Sequence, residues 1–514
     1  MRVALLVVAA FGLAAAAPLT WYETSLPTTL HPLYGRSMVD RRASELIFDR
    51  IYYRSAVTHE LRSRLVTDGV AVDEGRGWRM RMRDGLTWHD GQPVVAQDLC
   101  FTVSALLDPL TPSPVAQATR ADLAGCTVEG NTVTVRFNRA VYNAPDRLAF
   151  PLLPAHRFAS TELRPDDAFS SRPTGTGPMS AGLGRREVRY TARNTGAHTA
   201  QIGEGLLQEA GDPLILVRTL LSNGVHGAIS IPPAYRSEVA ASDEVGLKNY
   251  DLQSWWFIAL NPQTLPTVPL REAIDAAIDR TRLRDLTLGY DPEDPSPPCA
   301  FISGPFVPSS PYANRSVPIR ERADLALVGS RMATAGGKLI GGRWTVNGKP
   351  LTLRIGQHAL LDLEARDLLS QIGNMLQGAG FDRTVERISN DTWQSEGLSG
   401  GLADRYDLLV GRWSFGHDER VDPLFETRRG DRGGLNLFNW SDAETDALIG
   451  RHRAAATDTQ ARDAYHALHA HLARVRPYAF LWKLDTKSAW RNEVRNNVIS
   501  PYWYFTEFDG WTLP

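Results

Sequence analysis

The sequence is poor in cysteine, in long apolar runs and in any excess of charge. Its three cysteines, Cys100, Cys126 and Cys299, show no CxxC spacing in a chain of 514 residues, which argues against a thiolate metal cluster and a disulfide framework. Two readings stand for Cys100 and Cys126: a single disulfide made in an oxidising compartment between a helix and the strand after it, or, with Cys299, small buried hydrophobes. Beyond the N-terminus no stretch approaches the roughly 18 consecutive apolar residues of a membrane helix. Lys plus Arg number 56 against 58 Asp plus Glu, a formal charge of -2, so no global field favours nucleic acid or an anionic membrane. HExxH and GxxxxGK[ST] are absent, which removes the zinc-protease and phosphate-loop patterns. No cofactor is expected, and enzymatic chemistry is not.

What is present begins with a targeting segment. Arg2 precedes the apolar run Val3 to Leu13 and the small residues Ala14 to Ala17, the pattern of a cleaved secretory signal peptide over residues 1–17. No Cys follows it to carry a lipid anchor, so a freely diffusing periplasmic protein is expected. A mature chain of this length needs two or three domains. Leu19 to Glu23 reads as a strand and Arg41 to Arg50 as helical. Trp78 to Arg83 alternates apolar and basic residues, the period of a half-buried strand. Leu99, Val103, Leu106 and Leu107 recur at helical spacing up to Pro109, and Gly130-Asn131 signals a hairpin into Val133, Val135 and Phe137.

Further along, Glu187 to Ala192 and the apolar Trp255 to Leu260 read as strands, and Leu270 to Ile278 as one helix face. Asn347-Gly348 is a hairpin turn, Leu361 to Gly378 is helical, and Tyr406 to Val410 is a short buried strand. Ser441 with Glu444 three residues on has the form of a capping box. Tyr478 to Leu484 resembles a strand returning to the first domain. Strands alternating with helices, interrupted by hairpins, imply an α/β fold with mixed sheets.

One run is more specific than these periods. Gly85-Leu86-Thr87-Trp88-His89-Asp90-Gly91-Gln92-Pro93, then Ala96-Gln97-Asp98-Leu99 and Leu107-Asp108-Pro109, resembles the signature of family 5 extracellular solute-binding proteins, the peptide and nickel type. Further stretches agree in order: Thr29 to Pro32, Leu153 to His156, Gly175 to Pro178, Leu220 to Gly224, Ala259 to Asn261 with Leu270 to Ile274 and Ile278 to Arg280, Tyr406 to Leu408, and Asn439 to Leu448. The resemblance implies a two-lobed periplasmic-binding-protein fold of class II type with an extra subdomain in the first lobe. It implies lobe I over residues 18–260 with the subdomain at about 51–170, lobe II over 261–484, and a return to lobe I over 485–514. The crossings are expected near Asn261 and Leu484.

By the same resemblance, a monomeric receptor closes by a hinge on a small solute and delivers it to inner-membrane permease subunits of an ABC importer. The solute expected is an oligopeptide, with a nickel chelate or an oligosaccharide as alternatives. An exported sensor or chaperone of the same fold, uncoupled from transport, is the rival reading, and a secreted hydrolase a further one. Peptide-binding relatives hold the ligand's amino terminus with an acid three places after a Trp; here that Trp is Trp413 and the third place is Gly416. The nearest acids are Asp418 and Glu419. An arginine that some relatives use falls at Val410, with Arg412 close by.

Candidate ligand-binding residues are therefore Trp413, Arg412 and Asp418, with Trp255, Trp256 and Asn261 on the crossing strand and Tyr22 and Glu23 after the first strand. Of Trp255 and Trp256, one is expected in the core and the other toward the cleft, since neighbours on a strand face opposite ways. Gly175 to Gly177 reads as a tight turn serving the fold, and His89-Asp90-Gly91 as a structural turn. His466, His469 and His471 are expected on a solvated helix face rather than around a metal.

Overall fold

The computed structural model describes residues 17–514 apart from 56–57, 59, 142, 166–167, 251–253, 290–297, 416–418, 428–434 and 500–502. Residues 1–16 of the expected leader, and Asp418, lie outside the described residues. Two mixed sheets organise the rest. The first has seven strands in the order Val245–Asn249, Lys487–Arg491, Gly227–Ala228, Leu19–Glu23, Glu204–Glu209, Glu187–Ala192 and Met179–Leu183. It takes strands from both ends of the chain, and Leu19–Glu23 runs parallel to both of its neighbours.

The second sheet has five strands in the order Asp382–Ile388, Thr352–His358, Leu408–Ser414, Ser254–Leu260 and Tyr478–Phe480. Every residue of Ser254–Leu260 is buried, because helices and loops cover both faces of this sheet. Such a doubly covered strand reads as a continuous apolar run rather than an alternation. Its side chains still alternate: Trp255, Phe257 and Ala259 pack into one core, and Trp256, Ile258 and Leu260 into the other. Burial of each large side chain contributes roughly 1.5–3 kcal/mol relative to exposure.

A separate four-stranded sheet, Val66–Val72, Gly77–Met82, Thr132–Phe137 and Leu123–Glu129, packs against helix Ala96–Leu107 around its own apolar core. A Cys100–Cys126 disulfide joins that helix to the edge strand, and Cys299 is buried and free. The Trp88 to Pro93 turn is a clasp. Gly91 adopts φ 83°, Asp98 accepts from the Val95 amide and the Trp88 indole, and its other oxygen accepts from the Ala155 amide. His89 bonds the Gly177 carbonyl through Nε2 and accepts from the Gly175 amide at Nδ1. A Cβ on Gly175 would lie 1.8 Å from the Ile47 carbonyl, so glycine is needed for backbone to approach backbone.

Several boundaries differ from the sequence reading. The first helix is Met38–Glu45, started by a Ser37–Asp40 capping box, and does not extend to Arg50. Asp367 at φ 53° delays the expected Leu361 helix until Leu368–Gly378. The cap before Ala443–Arg453 is Asp442, which accepts from the Thr445 amide, not Ser441. The chain passes between the two large sheets after Asn249 and before Ser254, and returns between Leu484 and Lys487. The first passage thus precedes the apolar strand, and Asn261 stands at the strand's opposite end. Tyr478 to Leu484 forms two short strands in two sheets of the second lobe; the strand that rejoins the first sheet is Lys487–Arg491.

Candidate ligand cleft at the lobe junction

Because the passage precedes Ser254, the residues at that end of the second sheet stand at the junction of the lobes. Leu408–Ser414 pairs antiparallel with Ser254–Leu260 and sets Trp255 against Trp413 and Trp256 against Arg412. From the first lobe come Tyr22 and Glu23, at the end of Leu19–Glu23, and Tyr250, just past Val245–Asn249. Tyr250 is buried edge-on against Tyr504, with ring centroids 5.1 Å apart. Burial raises its phenol well above the ordinary value, and the charges acting on it are Arg42 and Glu23 from the first lobe and Glu364 and Arg412 from the second. One phenol thus feels two ion pairs, one from each lobe.

The two pairs differ in exposure. Arg42 donates to both oxygens of Glu23, Nε at 2.6 Å and Nη2 at 2.8 Å, a fork geometry that matches guanidinium to carboxylate. Their side chains are 8% and 1% exposed, so Glu23 is not presented to a solute. Arg412 reaches Glu364 end-on, Nη1 lying 2.5 and 2.7 Å from the two oxygens. These side chains are 31% and 30% exposed, which leaves part of the pair open to water.

An aromatic wall stands beside the second pair. The Trp413 indole is half-buried and stacks on Phe257 at 5.6 Å, while Phe257 stacks on Tyr478 at 4.6 Å. Trp255 and Trp256 are both core: Trp255 is sandwiched with Phe415 and Phe480, and Trp256 packs on Trp482. The expectation that one would face the cleft fails because both faces of this sheet are covered. Asn261 is buried at the far end, its amide donating to the Ala403 and Tyr406 carbonyls, where it ties a loop. Tyr22 is half-buried against a first-lobe core. Glu419 is buried. Arg42, Tyr250 and Glu364 were not legible from any motif, and Glu364 sits in a stretch read as helix.

Other candidates resolve into structural roles. His469 accepts from the Asn314 amide and bonds the Ser303 hydroxyl; burial lowers its pKa to about 4. His471 bonds Asp442 at 2.5 Å, and His466 bonds the Pro311 carbonyl. His469 and His471 are buried rather than solvated, and each histidine has its own partner. Among the described residues no group of three metal-ligating side chains occurs. Gly397 to Gly401 has Gly-x-Ser-x-Gly spacing, yet Ser399 is the last residue of helix Asn390–Ser399 and its hydroxyl donates to the Glu396 carbonyl. A hydrolase elbow instead sets its serine between strand and helix.

Two lobes built on mixed sheets, joined by two passages and meeting over charged and aromatic side chains, define the two-lobed binding-protein fold. The family model for the bacterial extracellular solute-binding proteins, family 5 (middle), matches residues 60–433, and the chain belongs to that family. It is 27% identical over 486 residues to Protein XP55 of Streptomyces lividans, covering 90% of this chain and 82% of that one. The fold is similar to that of the oligopeptide-binding protein AppA of Bacillus subtilis, solved with a nonapeptide, at TM-score 0.83 and 16% identity over 97% of this chain and 99% of that one. It is also similar to NikZ of Campylobacter jejuni, solved with Ni(L-His), at TM-score 0.81 and 17% identity over 96% and 99% of the two chains. Among the described residues no helix is long and apolar enough to cross a membrane.

Proposed function

We propose that the chain is the solute-capturing component of an ABC importer, a monomer exported by its leader to the periplasm, where it closes by a hinge on an oligopeptide and delivers it to membrane permease subunits. The lobes of this reading are residues 18–250 with 487–514, and 254–484. The observation that carries the ligand class is the Glu364–Arg412 pair, about a third exposed, beside Trp413. A carboxylate suits a peptide ammonium, a guanidinium suits a carboxylate, and a half-buried indole supplies a surface that does not discriminate side chains. Glu364 takes the part that Gly416 cannot play. AppA, solved with a nonapeptide, supports the same class. No cofactor, metal or nucleic acid enters this reading.

The test is a thermal-shift and calorimetric screen of the mature protein against di- to pentapeptides, Ni-histidine and oligosaccharides. Ligand at about 100 times its dissociation constant adds roughly 2.7 kcal/mol of stability. A rise with free peptides that weakens when the amino terminus is acetylated supports the reading; a rise only with Ni-histidine, the ligand of NikZ, replaces the solute class. No response to any of them favours an exported sensor or chaperone uncoupled from transport.

A further inference from the structure

The two lobes meet a second time, away from the passages and from the Glu364–Arg412 pair. Asp122 of the first-lobe subdomain has a side chain only 4% exposed. One of its oxygens accepts from Arg139 Nη2 at 2.5 Å, and the other from Arg420 Nη1 of the second lobe at 2.8 Å. On the second lobe Arg420 also donates to both oxygens of Asp422, at 3.0 and 2.7 Å. Arg453 then contacts Asp422 at 3.4 Å and Glu426 at 2.6 Å. Carboxylates and guanidiniums therefore alternate across the boundary, with the Asp122–Arg420 bond as the link between lobes.

Two features make this link separable. If the lobes part, Asp122 keeps Arg139 and Arg420 keeps Asp422, so neither charge is left buried without a counter-ion, the event that makes breaking an ordinary buried pair costly. The seam is also not a packed apolar core: four arginines together with Asp422, Ile449, His452 and Tyr465 line a small void of about 10 Å³ there, room for about one water. Parting exposes groups that water solvates, as at interfaces between domains that move.

We propose that Asp122 and Arg420 are positioning residues that latch the subdomain to the second lobe, and that their bond sets the closed fraction of the protein before any solute arrives. The inference rests on the hinge reading above. A receptor whose competent state is partly populated binds with an affinity scaled by that fraction, so these two residues tune affinity without touching the solute.

The test uses ligand-free, full-length mature protein carrying one dye on the subdomain and one on the second lobe, read by single-molecule energy transfer. Arg420→Gln and Asp122→Asn each raise the ratio of open to closed molecules by about tenfold. The double variant adds little to either, and Arg420→Lys recovers part of the closed population. Urea unfolding of the same variants separates the latch from a merely structural role, which lowers the midpoint and leaves the distance distribution in place. Two populations in the wild type with identical ratios in all variants overturn the latch and leave the hinge standing. A single distance in wild type and variants, unchanged by added trialanine, removes the hinge and the latch with it.

Discussion

Glu23–Arg42 and Glu364–Arg412 are the same chemistry on opposite sides of one junction, and they differ in their access to solvent. The first is a forked, fully buried pair between the opening strand and the first helix. The second is an end-on pair, about a third exposed, between a loop and a strand end. Burial rather than residue type decides which pair is available to a solute: a carboxylate with both oxygens engaged and no solvent access cannot change partners without a large desolvation cost, whereas a half-hydrated one exchanges partners cheaply.

The largest effect expected is on stability. Glu23→Gln leaves the Arg42 guanidinium buried without its counter-ion and lowers the unfolding free energy by about 3–5 kcal/mol, measured by urea unfolding. A loss below about 1 kcal/mol would break the comparison and return Glu23 to the cleft. His198 extends the comparison to a second fixed charge of the first lobe. Its ring bridges Asp49 and Asp509; burial alone would lower its pKa, but the two carboxylates outweigh burial and raise it to about 9. A histidine raised above its unfolded value contributes stability that is complete below about pH 6.5 and lost as pH rises through about 9. Unfolding measured from pH 6 to 10 should show that decline in the wild type and a flatter profile in His198→Gln.

The smaller effects belong to the second lobe and fall on binding. Glu364→Gln should change unfolding by no more than about 1 kcal/mol while weakening a free tripeptide by about tenfold, roughly 1.4 kcal/mol. Calorimetry against the N-acetylated tripeptide sharpens the point, because that ligand should bind both proteins alike. Trp413→Ala should weaken free and acetylated peptides together by more than about 1 kcal/mol, since an indole wall does not read the terminus; unchanged affinity removes Trp413 from the site.

Much of the fold was legible where local pattern and final environment agree. Leu19–Glu23, Gly77–Met82 and the Gly130-Asn131 hairpin follow from alternation and turn chemistry. The helix starts slipped where a cap competes with a neighbour of similar chemistry, as with Asp442 beside Ser441, or where one residue at positive φ interrupts a periodic run, as with Asp367. Of the proposed site residues, Trp413 and Arg412 stand partly exposed at the junction, while Trp255, Trp256, Asn261 and Glu23 are buried. Tyr250 and Glu364 carry no motif at all.

By itself the sequence determined the strands and helices that side-chain period and turn residues specify, the apolar character of the central strand, and the family likeness carried by residues 85–109. The Cys100–Cys126 bond, the position of the passage before Ser254, and the Asp122–Arg420 link 298 residues apart were decided only by tertiary structure. The reason is physical: period and turn chemistry act between residues a few places apart, whereas the burial that separates a fixed ion pair from an available one depends on which distant segments cover it.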